Sequence, residues 1–291
     1  VKEQLKKAAI PVAGFGTRLL PVTKAQPKEM LPVVDKPAVQ YVVEEAVQSG
    51  IENILFVTGR GKRAIEDYFD YSFELEQELE QKGKTDLLKS IKEISEMVKI
   101  FYVRQKIARG LGDAVYHAKG FVNGEPFAVL LADDIIDAPK PCLKQMMKIY
   151  EKHQGIVLAV MKVPLALSNM YGIVDCKKIS ERVYEVHGLI EKPEPMEAPS
   201  NLAIVGRYIL TKNIFWALEN TQPGKDGELQ LTDAINKTLI KEKIYAYEFQ
   251  GTRYDVGDKL GYLKANIALA LKRDDFGKEL KEFIKHILDE N

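Results

Sequence analysis

Arg18 and Lys28 flank a glycine turn, Gly14-Phe15-Gly16-Thr17, that follows directly on the apolar run Ala8-Ala9-Ile10-Pro11-Val12-Ala13. Glycines leave backbone N–H groups open to a ligand, so such a turn can wrap a polyphosphate while the two cations add positive charge. Two acidic segments stand far downstream. Ala128-Val129-Leu130-Leu131-Ala132-Asp133-Asp134 reads as a buried strand ending in two carboxylates, at the carboxyl edge where open α/β sheets hold ligands. Asp133 is therefore a candidate ligand for a hard cation. Gly251-Thr252-Arg253-Tyr254-Asp255-Val256-Gly257-Asp258 offers a second acid, Asp255. In that segment Gly257 allows a sharp turn, and Asp258 can cap the helix that follows. Gly188-Leu189-Ile190-Glu191-Lys192-Pro193 sets a carboxylate beside an amine where a proline stops a strand. Residues adjacent on a strand point to opposite faces, but at a strand end the pleat relaxes and both can turn to one cleft.

Two familiar phosphate loops are excluded. A dinucleotide-binding turn needs G-x-G-x-x-G, yet Leu19 stands where the third glycine belongs and prolines interrupt the expected helix. That disfavours hydride transfer on NAD. The nearest approach to a P-loop, Gly59-Arg60-Gly61-Lys62-Arg63, has the wrong spacing and no hydroxyl residue, and it reads as a basic surface turn.

The elements that must position these groups follow from hydrophobic pattern. Short apolar runs at Ala8 to Val12, Ile54 to Thr58, Ile100 to Val103, Phe127 to Leu131 and Gly155 to Val163 alternate with helical patterns. This predicts βαβ units and a sheet buried on both faces. A helix is expected from Pro37, with Val39, Val43, Ala46 and Val47 as its buried stripe and Gly50 ending it. Tyr71 to Lys99 reads as an inserted helical hairpin: Leu75 and Leu79, then Leu87, Ile91, Ile94 and Val98, recur at helical spacing among charges. Tyr171 to Phe249 is β-rich, and helical patterns from Asp258 to Ala270 and Lys278 to Leu288 close the chain. Gly227-Glu228-Leu229-Gln230-Leu231-Thr232-Asp233-Ala234 reads as a helix start capped by Thr232 or Asp233.

With 291 residues, 46% of them hydrophobic, and no Pro/Gly/Ser linker, one domain is expected. Its halves are 1–165, with the 71–99 insertion, and 166–257; the helices of 258–291 complete it. Lys plus Arg and Asp plus Glu both number 42, so no global field attracts nucleic acid or an anionic membrane. Any anion must be held by locally placed cations. Val1 to Lys7 is charged, and no later segment approaches about 18 apolar residues, so a cytoplasmic location without membrane contact is expected. Cys142 and Cys176 lack C-x-x-C spacing, and His117, His153, His187 and His286 lack ligand spacing; all six are assigned to structure or surface.

Taken together, Gly14-Phe15-Gly16-Thr17-Arg18-Leu19-Leu20-Pro21-Val22-Thr23, then Pro27-Lys28 and Lys36-Pro37, resemble the signature of the sugar-phosphate nucleotidyltransferases. Every fixed position of that signature is present, and the resemblance extends over nearly the whole chain. The Pro27-Lys28-Glu29-Met30-Leu31-Pro32 variant and the long insertion are similar to members that join UTP and glucose-1-phosphate into UDP-glucose and pyrophosphate. The resemblance implies a Rossmann-like, glycosyltransferase A-like α/β fold, with a mainly parallel, mixed sheet, helices on both faces and a β-rich sugar-binding region. By the same resemblance 1–165 is the nucleotide half and 166–257 the sugar-phosphate half. It assigns nucleotide binding to Ala13, Gly14, Gly16, Thr17, Glu29, Gln105 and Gly110. Sugar binding falls to Gly172, Glu191, Lys192, Val205 and Gly206, and Mg²⁺ binding to Asp133 and Asp255. Arg18, Lys28 and Lys192 receive the catalytic roles; Asp134 and Asp258 are read as supporting the metal ligands or as structural. A homodimer or homotetramer is implied, with the insertion and terminal helices as contacts. Uridylyl-transferring members often carry histidine where Asp113 stands here. The alternatives are thymidylyl transfer to dTDP-glucose and a non-catalytic nucleotide-sugar sensor. A sensor should have lost one of Lys28, Asp133, Lys192 and Asp255, and all four are present.

Overall fold

The computed structural model describes residues 4–224 and 227–290. Its strands are β1 (Lys7–Val12), β2 (Pro32–Val33), β3 (Lys36–Pro37), β4 (Asn53–Thr58), β5 (Lys99–Arg104), β6 (Phe127–Leu130), β7 (Asp134–Asp137), β8 (Ile156–Lys162), β9 (Gly172–Ser180), β10 (Val183–Glu191), β11 (Leu202–Leu210), β12 (Ile244–Glu248) and β13 (Thr252–Asp255). The helices are α1 (Ala38–Ser49), α2 (Arg63–Phe69), α3 (Phe73–Gln81), α4 (Thr85–Ser95), α5 (Leu111–Tyr116), α6 (Lys119–Val122), α7 (Cys142–His153), α8 (Asn213–Glu219), α9 (Leu231–Thr238), α10 (Lys259–Ala270) and α11 (Gly277–Asp289). None of these helices is long and apolar enough to cross a membrane.

Nine strands from both halves form one sheet in the order β5-β4-β1-β6-β11-β8-β12-β10-β9. The β5 to β6 side is parallel throughout, as the βαβ pattern requires. Beyond it β11 runs antiparallel between β6 and β8, and the rest of the sheet is mixed. Alternation along β1 explains the two layers. Ala9 faces a core shared with α5, α8 and α9, whereas Ala8, Ile10 and Val12 face one shared with α1 and α7. Burying both faces leaves little room for polar residues in the central strands. β5 departs from the expected burial because it is the sheet's margin, and its Phe101 and Tyr102 are partly exposed. The predicted insertion is present as the antiparallel pair α3 and α4, whose Ile94 packs onto the α1 side of the sheet.

Local signals set the ends of α1. Pro37 takes the N-cap position, so the helix starts one residue later than predicted, and Gly50 closes it at φ 98°. The β2-β3 hairpin is pinned to α10 and its C-terminal end: Asn266 Oδ1 accepts the Val34 N–H at 2.9 Å, and Arg273 pairs with Asp35. Asp258 caps α10 by accepting the Gly261 N–H at 2.9 Å, as expected. Thr232 and Asp233 do not cap α9. Gln230 holds the N-cap position without a side-chain bond, and Thr232 turns inward to a cavity.

The least apolar part of the core lies under the acidic strand end. Arg207, in the middle of β11, is fully buried. Its Nε and Nη2 donate to Glu45 Oε2 of α1, Nη1 to the carbonyls of Leu131 and Gly206, and Nη2 to that of Asp134. Burial opposes the guanidinium charge, but Glu45 outweighs it and holds the Arg207 pKa above its ordinary value. Glu45 Oε1 also accepts the Leu143 N–H at the start of α7.

Glu45→Ala leaves a buried, uncompensated cation, a change that typically costs about 3–5 kcal/mol. Urea unfolding followed by circular dichroism should show a loss of that size. Adding Arg207→Met should recover only part of it, because three carbonyls then lose a charged donor that Met does not replace.

Candidate active site

Chain direction at the end of β6 assembles the acids. After Leu130 the chain turns through Leu131 and Ala132 to Asp133, then enters β7, which pairs antiparallel with β13. That register sets Asp255 opposite Asp134, and the Val256 N–H donates to the Asp133 carbonyl at 2.8 Å. Two carboxylates some 120 residues apart thus face one point. Gly257 is needed for room and not for an unusual turn, since its φ is not positive. A Cβ there would lie 2.7 Å from Asp133 Oδ2 and 2.8 Å from Arg18 Nη2.

Lys28 Nζ donates to Asp133 Oδ2 at 2.6 Å, while Arg18 lies 3.9 Å from Asp133 and 4.0 Å from Asp255. Burial tends to neutralise Asp133, but Lys28 prevails and holds its carboxyl below the usual range. The reciprocal balance raises the Lys28 pKa: burial opposes its charge, and Asp133 overcomes that cost. Both groups are charged at neutral pH. Asp134 differs, because burial and the neighbouring Asp133 outweigh Arg253 and push its carboxyl up. It accepts the Gly206 N–H at 2.7 Å and Arg253 Nε at 2.8 Å, a structural role as expected.

Two cavities meet at Asp133. The first, about 490 Å³, is lined by Arg18, Asp133, Gly172, Glu191, Lys192, Val205, Gly206 and Asp255 among others. The second, about 450 Å³, is lined by Ala13, Gly14, Thr17, Lys28, Glu29, Gln105, Gly110 and Asp133 among others. Each is within the size range of small-molecule sites. The sequence-predicted residues therefore sort into two adjoining groups, with Arg18, Lys28, Asp133 and Asp255 at the junction.

Glu191 and Lys192 reach the same cavity because Lys192 has φ 48°, a left-handed conformation rare for a residue with a side chain and less favourable still before a proline. A strand conformation would have sent the two to opposite sides. The Lys192 N–H donates to the Tyr171 carbonyl at 3.0 Å, which helps hold the twist.

Two expectations, on Gly16 and Lys62, are corrected, and Glu29, which lines the second cavity, has a partner its sequence context did not announce. Gly16 is not in either cavity wall; it supplies a turn at φ 67° whose carbonyl accepts the Thr23 hydroxyl. The Glu29 carboxylate is buried in an ion pair with Lys62 at 2.8 Å, so its charge braces the loop that carries Lys28. Lys62 is accordingly not part of a surface turn: it is buried beneath the site. Sequence reading also missed Arg253, which joins Asp134 to Asp255 and lies 5.5 Å from the Tyr171 ring centroid. Its position two residues before Asp255 on one strand, hence on the same face, was the available signal.

The sequence model of the nucleotidyl transferase family matches residues 7–271. The chain belongs to this family. Among similar proteins, the UTP–glucose-1-phosphate uridylyltransferase of Staphylococcus epidermidis is 52% identical over 285 residues, 98% of this chain and 99% of that protein. The enzyme of the same name from Bacillus subtilis is 50% identical over 287 residues, 99% of this chain and 98% of its own. A UTP-bound UGPase structure from Acinetobacter baumannii superimposes with a TM-score of 0.91 at 45% identity, covering 97% of this chain and 99% of the other. A UDP-glucose pyrophosphorylase complexed with UDP-glucose gives 0.86 at 46% identity, over 93% of this chain and 100% of the other. The nucleotidyl transferase fold that the resemblance implied is thus established.

In this nucleotidyl transferase, Gly257→Ala should force Asp133 and Arg18 apart while leaving the sheet intact. Calorimetric titration with inorganic tripolyphosphate should show binding weakened at least about tenfold, roughly 1.4 kcal/mol. The melting temperature should stay within a few degrees of the parent.

Proposed function

We propose that this chain transfers a uridylyl group from UTP to glucose-1-phosphate, giving UDP-glucose and pyrophosphate. The observation that carries the proposal is the pair of adjoining cavities, with Lys192 in one, Lys28 in the other and Asp133 common to both. Two anionic substrates seated there would bring their phosphates together at that junction. The names borne by relatives of about 50% identity support the choice of substrates.

A phosphate oxygen of glucose-1-phosphate attacks the α-phosphorus of UTP in line, and the bond from that phosphorus to the pyrophosphate oxygen breaks. The attacking phosphate is already ionised at neutral pH, so no general base and no covalent enzyme intermediate are required. Catalysis is then a matter of position and charge. Lys192 orients the attacking phosphate, and Glu191 accepts hydrogen bonds from the sugar hydroxyls beside Gly172 and the Val205 and Gly206 backbone. Arg18 and Lys28 stabilise charge moving onto pyrophosphate, with Lys28 exchanging its bond to Asp133 for the leaving oxygen. The Ala13-Gly14 backbone and Thr17 face the triphosphate, while Gln105 and Gly110 face the base.

Asp133 and Asp255 fit Mg²⁺ as a donor set. They are hard oxygen ligands, each partly accessible, in a site where the described residues offer no cluster of three or more metal-binding side chains. Such an ion takes one or two carboxylates and completes its octahedron with phosphate oxygens and water. Bound there, it would screen the two substrate anions from one another.

The proposal places the reaction in the cytoplasm, in keeping with the free thiols of Cys142 and Cys176. It also includes self-association through the C-terminal helices, where Leu263, Ile267, Phe283 and Leu288 are exposed.

Pyrophosphate release should require glucose-1-phosphate and Mg²⁺ and should favour UTP over dTTP, ATP, CTP and GTP. Lys192→Ala should lower turnover at least about 100-fold, the usual effect of removing a group that positions and stabilises reacting charge. Retention of most activity by Lys192→Ala, or of full magnesium-dependent activity by Asp133→Asn, would refute the assigned roles. A preference for dTTP would replace uridylyl by thymidylyl transfer.

A further inference from the structure

We infer that Asp113 is a positioning residue for base selection: it turns the Gln105 amide so that only the carbonyl oxygen is left for the base. The inference rests on the reading of the second cavity as the UTP site. Gln105 follows β5 and is buried in the wall of that cavity. Its backbone N–H donates to the Thr58 carbonyl at 2.8 Å, so the side chain starts from a fixed point.

A free glutamine amide presents either a donor or an acceptor, and uracil and cytosine would then be read almost alike. Here Nε2 lies 2.6 Å from Asp113 Oδ2 and 3.4 Å from the Gly110 carbonyl oxygen. Both partners accept only. The amide must therefore face them with its two N–H groups, leaving Oε1 for a ligand. Asp113 is itself held in α5, where His117 Nδ1 donates to its backbone carbonyl at 2.8 Å and stands 3.8 Å from its Oδ2.

An acceptor at this point complements the N3–H of uracil or thymine. It opposes the N3 lone pair of cytosine. The pair therefore selects the imide pyrimidines as a class and does not sense the C5 methyl group. Resemblance had marked position 113 only as a departure from histidine; the contact gives the aspartate a definite task.

The test uses the whole protein and kcat and KM for UTP and CTP, with glucose-1-phosphate and Mg²⁺. Asn at 113 can donate as well as accept and frees Gln105 to rotate. Asp113→Asn should therefore reduce the UTP-over-CTP preference in kcat/KM at least about tenfold, mainly through the KM values for the two nucleotides. The kcat with UTP and the KM for glucose-1-phosphate should stay within about twofold. Asp113→Ala should give the same pattern, which covers any folding defect peculiar to the asparagine. In a Gln105→Ala background, Asp113→Asn should add nothing, because the residues act in series. Loss of preference in Gln105→Ala but not in either Asp113 variant would overturn the inference, as would additive losses in the double variant. If Gln105→Ala itself kept the preference, Asp113 would have nothing to position and the inference would fall. No turnover of UTP by the parent protein would instead refute the uridylyl reading beneath it.

Discussion

Arg207 spends all five of its N–H groups inside the protein, on one carboxylate and three backbone carbonyls. A guanidinium fully removed from water is tolerable only on such terms, and the terms constrain much of the fold. Glu45 must approach from α1, the chain must turn after β6 so that the Leu131 and Asp134 carbonyls converge, and β11 must be the neighbour of β6. That turn presents Asp133 to the cavities. The antiparallel β11 in an otherwise parallel neighbourhood is therefore the strand that carries the cation beneath the site.

Above this base the site alternates charge. Lys28 and Arg18 face Asp133, Arg253 faces Asp134 and Asp255, and Lys62 faces Glu29. The chain's net charge of zero hides this pattern. Arg18, Lys28 and Arg253 each lie near a carboxylate in the same cavity wall, so an arriving phosphate exchanges one ionic partner for another. Partial burial strengthens the attraction within those pairs, and in the pair of Lys28 and Asp133 each member holds the other charged against the cost of burial.

How much of this could be read from the residues depended on distance along the chain. The Gly14–Thr17 turn, the acidic strand end, Gly50 and Asp258 are local signals, and each acts where its immediate neighbours implied. Asp133, Asp255 and Lys192 were assigned roles through family resemblance, and the structure gathers them about two joined cavities. What could not be read were pairings between remote residues that share no periodicity. Nothing in Arg207 announces Glu45, and nothing in a basic turn at Lys62 announces Glu29. Thr232 misled for a related reason: a hydroxyl near a helix start suits a cap, but the cavity beside β9 claims it. The exposed face of β5 was misjudged because apolar content does not distinguish a margin strand from an inner one.

The order of strands has a further consequence. Gln105 stands at the end of β5, the glycine turn follows β1, and Asp133 follows β6. Three strand spacings, about 14 Å, separate the first of these strands from the last. Glu191 and Gly172 belong to β10 and β9, which come last in the strand order, but the start of β9 folds back onto β11, where Ile173 pairs with Ala203 beside the site. Under the proposed function the strand ends thus set the order along the cleft, with the base beyond β5, the sugar beside β11 and the bond exchange between them. Because Gln105 and Glu191 stand on different strands at different ends of this cleft, a substitution at one need not disturb the other. New pairs of substrates can arise on such a frame one end at a time.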